Sequence, residues 1–278
     1  MSKTGNLYVE GDSFFHRMDG AVKLIMLLTW TVVTFLFLDL RIFAVMLAGG
    51  ITMLFISRIP MKRMALLFWV LTIFTLVNSV FILLITPRFG STLTDTNTPL
   101  IPIGYDTINA ETLFYILTLS LKYLTLLPIT LLFIFTTHPS RFAASLNKLG
   151  VPYKLAYAVS IAFRYIPDLT QEFKNILNAM QMRGLGISRS DGNLIRRMRN
   201  LSLVVVPLLQ SSLQHIESVS DAMDLRGFGT RPKRTWYMGT PMSPSDKIAV
   251  LLCGLLLIAA IAIKVLFIKG FWYPFNIS

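Results

Sequence analysis

Five stretches of this chain are apolar over lengths that suit a membrane-crossing helix, and no other feature restricts its fold as severely. They run from about Val22 to Leu38, Ile42 to Ser57, Met64 to Thr86, Leu113 to Thr137 and Ile248 to Ile268. A helix rising about 1.5 Å per residue needs ~20 apolar residues to cross a hydrocarbon core about 30 Å thick. No water is at hand there for backbone N–H and C=O groups, so each block must close its own hydrogen bonds as a helix. The first two blocks are at the short end of the range and only Asp39, Leu40 and Arg41 separate them, which predicts a tight helical hairpin. The third and fourth are long enough to cross with tilt, the fourth carrying Lys122 and Pro128. The fold class that follows is all-α, a polytopic membrane protein with about five spanning helices.

Charge agrees with that reading. Of 278 residues, 54% are hydrophobic and only 14% charged, against roughly a quarter charged in a soluble domain. The net charge of +12 alternates with apolar blocks and forms no single basic domain, so nucleic acid is excluded as a partner and the lipid bilayer is expected. The single cysteine, Cys253, sits in an apolar run, so the chain builds neither a disulfide framework nor a cysteine-based zinc site. His16, His138 and His215 lie far apart, without the paired spacing of a metal site, and read as interfacial or surface residues. Residues Met1 to Arg17 lack the apolar core of a cleavable signal peptide, so the first spanning helix is expected to stay in the mature protein.

Basic residues near spanning ends are retained on the cytoplasmic side. Arg58, Lys62 and Arg63 join the second and third blocks, and fifteen Lys or Arg residues fall within 138–247. The loop from Pro87 to Thr112 has Arg88 against Asp95, Asp106 and Glu111. The alternation predicts a cytoplasmic N-terminus, an external 87–112 loop, a cytoplasmic 138–246 domain and an external C-terminus, in a plasma membrane. Three parts result: 1–137 with about four spanning helices, 138–246 in the cytoplasm, and 247–278 with the last spanning helix.

The 138–246 part is moderately hydrophobic with helical periodicity. Ile166, Leu169, Phe173, Ile176 and Met180 recur at three- or four-residue steps, with Asp168, Glu172, Lys174 and Gln181 on other faces. A second stripe runs through Leu209, Leu213, Ile216, Ser220 and Met223, opposite Glu217, Asp221 and Asp224. Both fit amphipathic helices at the inner membrane surface. Between them, Asp191 to Asn200 carries Arg196, Arg197 and Arg199, a cluster suited to anionic headgroups. Pro167 and Pro207 each remove a backbone donor and should either start or kink a helix.

Each stripe ends in a repeated motif. Ala179-Met180-Gln181-Met182-Arg183-Gly184-Leu185-Gly186 and Ala222-Met223-Asp224-Leu225-Arg226-Gly227-Phe228-Gly229 match at five of eight positions, 43 residues apart. Glycine just past a helix supplies the left-handed conformation that closes the last turn. That leaves Arg183 and Arg226 at helix tips. One such arginine could merely complement the helix macrodipole, worth about 0.3 to 1 kcal/mol. Two copies with matching Ala, Met and Gly suggest two helix ends presented to two similar sockets. The planar, always-charged guanidinium suits a carboxylate or backbone carbonyls lining a groove.

The paired Arg-Gly motifs, together with Phe163-Arg164-Tyr165-Ile166-Pro167, Leu149-Gly150-Val151-Pro152 and the opening Gly11 to Asp19 segment, resemble the transmembrane T component of energy-coupling factor (ECF) transporters, the CbiQ/EcfT-type family. The chain departs from the family's Asp-Pro-Arg-x-Lys, having Asp19-Gly20-Ala21-Val22-Lys23. The resemblance implies that 138–246 is a domain of coupling helices docking on two ABC-type ATPase subunits, while other surfaces hold one small membrane substrate-binding (S) subunit. Ala179, Met182, Arg183, Gly184, Ala222, Leu225, Arg226 and Gly227 would form the ATPase-coupling sites. It implies uptake of a vitamin or metal ion, with no catalytic residue, metal or cofactor in this chain and with ATP and Mg bound by the partner ATPases. The sequence has no phosphate-cradling glycine-rich loop, carboxylate pair in a spanning block or nucleophile motif. Two alternatives remain open: a conventional ABC permease, which would carry one coupling helix per chain, and a membrane-embedded enzyme acting on an anionic substrate. Lys122 is either a functional or partner-pairing charge or one that faces a neighbouring helix, and Gly49, Gly50 and Ser57 either let helices pack closely or loosen the second span.

Overall fold

The structure, a computed structural model, describes residues 11–94, 98–103, 106–186, 194–231, 235–236, 239, 242–266 and 274. They group into two compact units, one within Pro139–Gly239 and the other within Leu7–His138 and Thr240–Ser278.

The membrane unit contains α1 (Phe14–Arg17), α2 (Gly20–Leu36), α3 (Leu40–Ser57), α4 (Met61–Ile85), α5 (Phe89–Thr94), β1 (Pro99–Ile103), β2 (Asp106–Asn109), α6 (Ala110–Thr136) and α10 (Pro244–Leu266). Among the described residues, four helices are long and apolar enough to cross a membrane: α3, the Met64–Ile85 part of α4, α6 and α10. The fifth, α2, is apolar but only 17 residues long, about 25 Å of helix. Asp19 and Asp39 cap α2 and α3, their side chains accepting from Ala21 N (2.9 Å) and Arg41 N (3.2 Å). Those caps satisfy N-terminal donors that the helices themselves leave without a partner.

The core of this unit gathers on α6. Trp30, Val33 and Phe37 meet Met46, Ile129 and Ala260, so α2, α3, α6 and α10 contribute to one cluster. Trp30 Nε1 donates to Thr125 O (3.1 Å), three residues before Pro128. The Thr125 hydroxyl donates to Leu121 O (2.7 Å) and reaches Phe43 O on α3 (3.3 Å). A Cβ on Gly50 would meet Pro128 Cβ at 2.9 Å. Gly50 therefore allows a close approach of α3 and α6, the use of small residues expected between spanning helices. By contrast, α4 and α10 leave most of their large apolar side chains exposed, among them Leu66, Trp69, Ile258 and Val265, as befits helices whose outer faces meet lipid.

Sequence periodicity shows the 87–112 segment only as a loop, yet it holds α5 and the antiparallel β1–β2 hairpin. Both elements are too short to produce a readable period. Tertiary contacts hold them: Glu111, fully buried, accepts from Thr98 N and Thr98 Oγ1 (3.1 and 2.7 Å). Gly90 lies so close to α6 that a Cβ there would meet the Glu111–Thr112 backbone at 2.3 Å.

The second unit contains α7 (Pro139–Lys148), α8 (Tyr153–Met182) and α9 (Leu194–Leu225). In the Leu149–Pro152 turn, Gly150 has φ 98°. Gly150 N donates to Asn147 O and Val151 N to Leu146 O, and the Asn147 side chain donates to Val151 O (2.9 Å). This Schellman closure reverses the chain so that α7 packs on α8.

Pro167 and Pro207 lie inside the continuous helices α8 and α9, each more than ten residues past the first residue of its helix, so neither starts one and each removes a backbone donor from within it. The described part of the Asp191–Asn200 segment, from Leu194, forms the opening of α9. His16 is buried rather than interfacial: it is 6% exposed, and its Nδ1 pairs with Ser13 Oγ at 2.7 Å.

Candidate functional site

Both repeated motifs end their helices in the same way. At the end of α8, Gly184 (φ 87°) donates its N–H to Gln181 O (2.9 Å) and Leu185 N donates to Met180 O (3.0 Å). At the end of α9, Gly227 (φ 62°) donates to Asp224 O and Phe228 N to Met223 O, both at 2.9 Å. These are the two bonds of a Schellman motif, formed twice from the same residue pattern. Arg183 and Arg226 occupy the capping position between helix and glycine, and both are exposed. The apolar residue before each is almost wholly outside: Met182 is 84% and Leu225 90% exposed. Ala222 is exposed and Ala179 half-buried. Each tip thus offers a guanidinium beside an uncovered apolar side chain, on a backbone closed by paired hydrogen bonds.

The likeness extends inward. Glu172 and His215 are also 43 residues apart, and they meet where α8 and α9 cross: His215 Nε2 lies 3.9 Å from Glu172 Oε2, while Ser211 Oγ donates to Glu172 Oε1. Tyr165 closes the node with its ring 6.2 Å from that of His215. Arg183 and Arg226 each lie eleven residues beyond this meeting point, about 16 Å along a helix. The helices run in opposite senses, because Phe228, just past α9, stacks on Tyr153 and Tyr157 at the start of α8 (5.7 and 4.8 Å between ring centroids). The two arms therefore diverge from the crossing, with equal length and with tips closed by the same pair of hydrogen bonds. A cavity of about 720 Å³ beside the crossing is lined by Tyr165, Ile166, Leu169, Glu172, His215 and Ile216.

The surroundings of the tips differ. Phe228 and Trp236, which stacks on Tyr157 and donates to Asn147 Oδ1 (3.1 Å), brace the second tip. Arg226 shares a cavity of about 400 Å³ with Arg164 and Asp168. The first tip is tied by Asn200 Nδ2 to Gly186 O (2.6 Å). Of the arginine cluster, Arg199 is exposed on α9. Lys122 packs its ammonium over the Phe35 ring of α2 (4.7 Å to the centroid), so it faces a neighbouring helix.

The family model described as CbiQ, cobalt transport protein, matches residues 11–237, which include both arginine tips and the crossing. The chain belongs to the CbiQ/EcfT-type family. Curated relatives named energy-coupling factor transporter transmembrane protein EcfT share its length. That of Brevibacillus brevis is 26% identical over 276 residues, 95% of this chain and 96% of the relative. Those of Bacillus selenitireducens and Clostridium kluyveri are 28% and 29% identical, over 95% and 90% of this chain and 97% and 92% of the relatives. The family match ends before α10, whereas the relatives' matches cover nearly the whole chain.

Sequence reasoning found both tips but missed the node at the crossing. Glu172 looked like part of a solvated face, and the signal that could have found it is the 43-residue spacing itself, continued inward to His215.

Proposed function

We propose that this chain is the transmembrane coupling subunit of an ECF-type ABC importer, linking two ATPase subunits to a small substrate-binding membrane subunit. The observation that carries the reading is the pair of like-built, arginine-bearing Schellman tips at equal distance from one helix crossing. Two equivalent ATPases present two equivalent grooves, and one chain with two matching arms fits both at once. In each groove a guanidinium would bond carboxylate or carbonyl oxygens while Met182 or Leu225 fills an adjoining apolar recess. ATP binding would bring the ATPases together, the arms would move with their sockets, and the substrate-binding subunit would change its tilt. No bond is made or broken in this chain; ATP and Mg belong to the partners. Selection of the vitamin or metal ion belongs to the substrate-binding subunit. The N-terminus and 138–246 would face the cytoplasm of a bacterial or archaeal cell and the C-terminus the outside, in line with the charge alternation.

The test is co-purification of the tagged chain from native membranes. Wild type should bring down two ABC-type ATPases and a small membrane protein, and Arg183→Ala with Arg226→Ala should lose the ATPases. Wild type coming down alone, or a double variant that retains its ATPases and ATP-driven uptake, would defeat the reading.

A further inference from the structure

The opening motif of α2 has no part in the arginine tips, yet it touches both places where the chain leaves the membrane unit. The chain passes between the two units after His138 and after Gly239. Just before the first passage, Lys23 Nζ donates to Thr136 O at 2.8 Å. Thr136 is the last residue of α6, whose final carbonyls have no partner within the helix. Just after the second passage, Ser243 caps α10 in a box with Asp246: Asp246 Oδ2 accepts from Ser243 N (2.9 Å) and Ser243 Oγ lies 3.3 Å from Ser245 N. The other oxygen, Asp246 Oδ1, accepts from Asp19 N (3.3 Å), and Asp19 itself caps α2. Asp19, Lys23 and Asp246 are each no more than 3% exposed.

The charges match the helix ends they serve. Two carboxylates sit at the N-termini of α2 and α10 and one ammonium sits at the C-terminus of α6, each opposite in sign to the local end of the macrodipole. Buried charges in a membrane protein are costly, and their placement tends to be functional. We infer that Asp19, Lys23 and Asp246 are positioning residues that clamp both inter-unit connections to the first turn of α2, so that motion of the arms is delivered to the membrane helices. This rests on the coupling reading above, and gives the Asp19-to-Lys23 motif a mechanical role.

The test is pulsed electron paramagnetic resonance on the full chain with its co-purified partners in lipid nanodiscs, in a Cys253→Ser background. One label pair spans the units (Ile56→Cys with Ile195→Cys), one lies within the helical unit (Leu155→Cys with Ile195→Cys) and one within the membrane unit (Val45→Cys with Val265→Cys). In Lys23→Met the spanning distance distribution should broaden at least twofold while the other two stay unchanged. A Gly-Gly insertion between Thr137 and His138, which disturbs no buried charge, should broaden the same pair and no other. An unchanged spanning distribution in the insertion variant overturns the inference, whether or not Lys23→Met folds. If Lys23→Met keeps both internal distributions, an unchanged spanning pair there overturns it too. Failure here with ATPase capture still dependent on Arg183 and Arg226 removes the clamp alone. ATPase capture indifferent to both arginines removes the coupling reading itself.

Discussion

If the two arginine tips engage separate sockets, their contributions to ATPase binding should add in free energy. Each tip offers one charged hydrogen-bonding group, for which loss on binding is about 1.5 to 3 kcal/mol. At 1.4 kcal/mol per decade, Arg183→Ala and Arg226→Ala should each weaken ATPase binding by about 10- to 150-fold. The arms diverge from the Glu172–His215 crossing by about 16 Å each, well beyond the roughly 10 Å within which substitutions interact. The double variant should then lose the product of the single effects, about 10²- to 10⁴-fold. Titration of purified ATPases onto the chain in lipid nanodiscs measures all four corners of the cycle. If the arginines only complement helix dipoles, removing them costs about 0.3 to 1 kcal/mol of local stability and leaves affinity alone. One neutral single variant, or a double variant no weaker than the worse single, would refute two equivalent sockets.

Three further outcomes follow from the geometry. Gly50→Ala puts a methyl 2.9 Å from Pro128 Cβ, so it should destabilise the membrane unit by about 1 to 3 kcal/mol, seen as a lower melting temperature in detergent; an unchanged melting temperature would show that α3 can move away from α6 freely. Gly184→Ala meets no atom within 4 Å, and Gly227→Ala nothing nearer than Thr230 Oγ1 at 3.5 Å; each should still cost about 1 to 2 kcal/mol through its positive φ, with faster hydrogen exchange confined to the last turn of its helix. Trp30→Phe keeps the apolar packing but loses the bond to Thr125 O, and should cost about 1 to 3 kcal/mol by the same melting assay, whereas no loss would mean that the indole nitrogen is dispensable.

What the sequence made legible is whatever recurs along the chain at short range. Apolar blocks longer than ~17 residues identify spanning helices because lipid forbids other solutions, and Arg-Gly marks a helix end because only glycine adopts the required φ cheaply. Long-range polar pairing leaves no such trace. Lys23 reads as one charge at the edge of an apolar block, and only folding brings Thr136 O to it across 113 residues of chain. Asp246 carries no signal in the sequence, and only folding turns one of its oxygens to Ser243 and the other to Asp19, 227 residues away. Proline is ambiguous at short range for another reason: it can begin a helix or sit within one, and Pro167 and Pro207 take the second place, inside α8 and α9.

The amphipathic stripes show where periodicity stops being informative. It identifies which residues share an apolar face, and the structure leaves much of that face open: Ile166 is 53% exposed, Leu213 60% and Ile216 62%. A soluble monomer rarely tolerates a contiguous apolar patch of this kind. Phe173, Ile176 and Met180, farther along α8, are only half-exposed, whereas on α9 the open apolar surface continues past the crossing through Leu209, Val206 and Leu203. The tips lie at the ends of a pair of helices whose apolar faces are left largely open. On the coupling role proposed above, the arginine tips would grip a soluble neighbour through charge, and the open apolar faces would hold a membrane-embedded one by area.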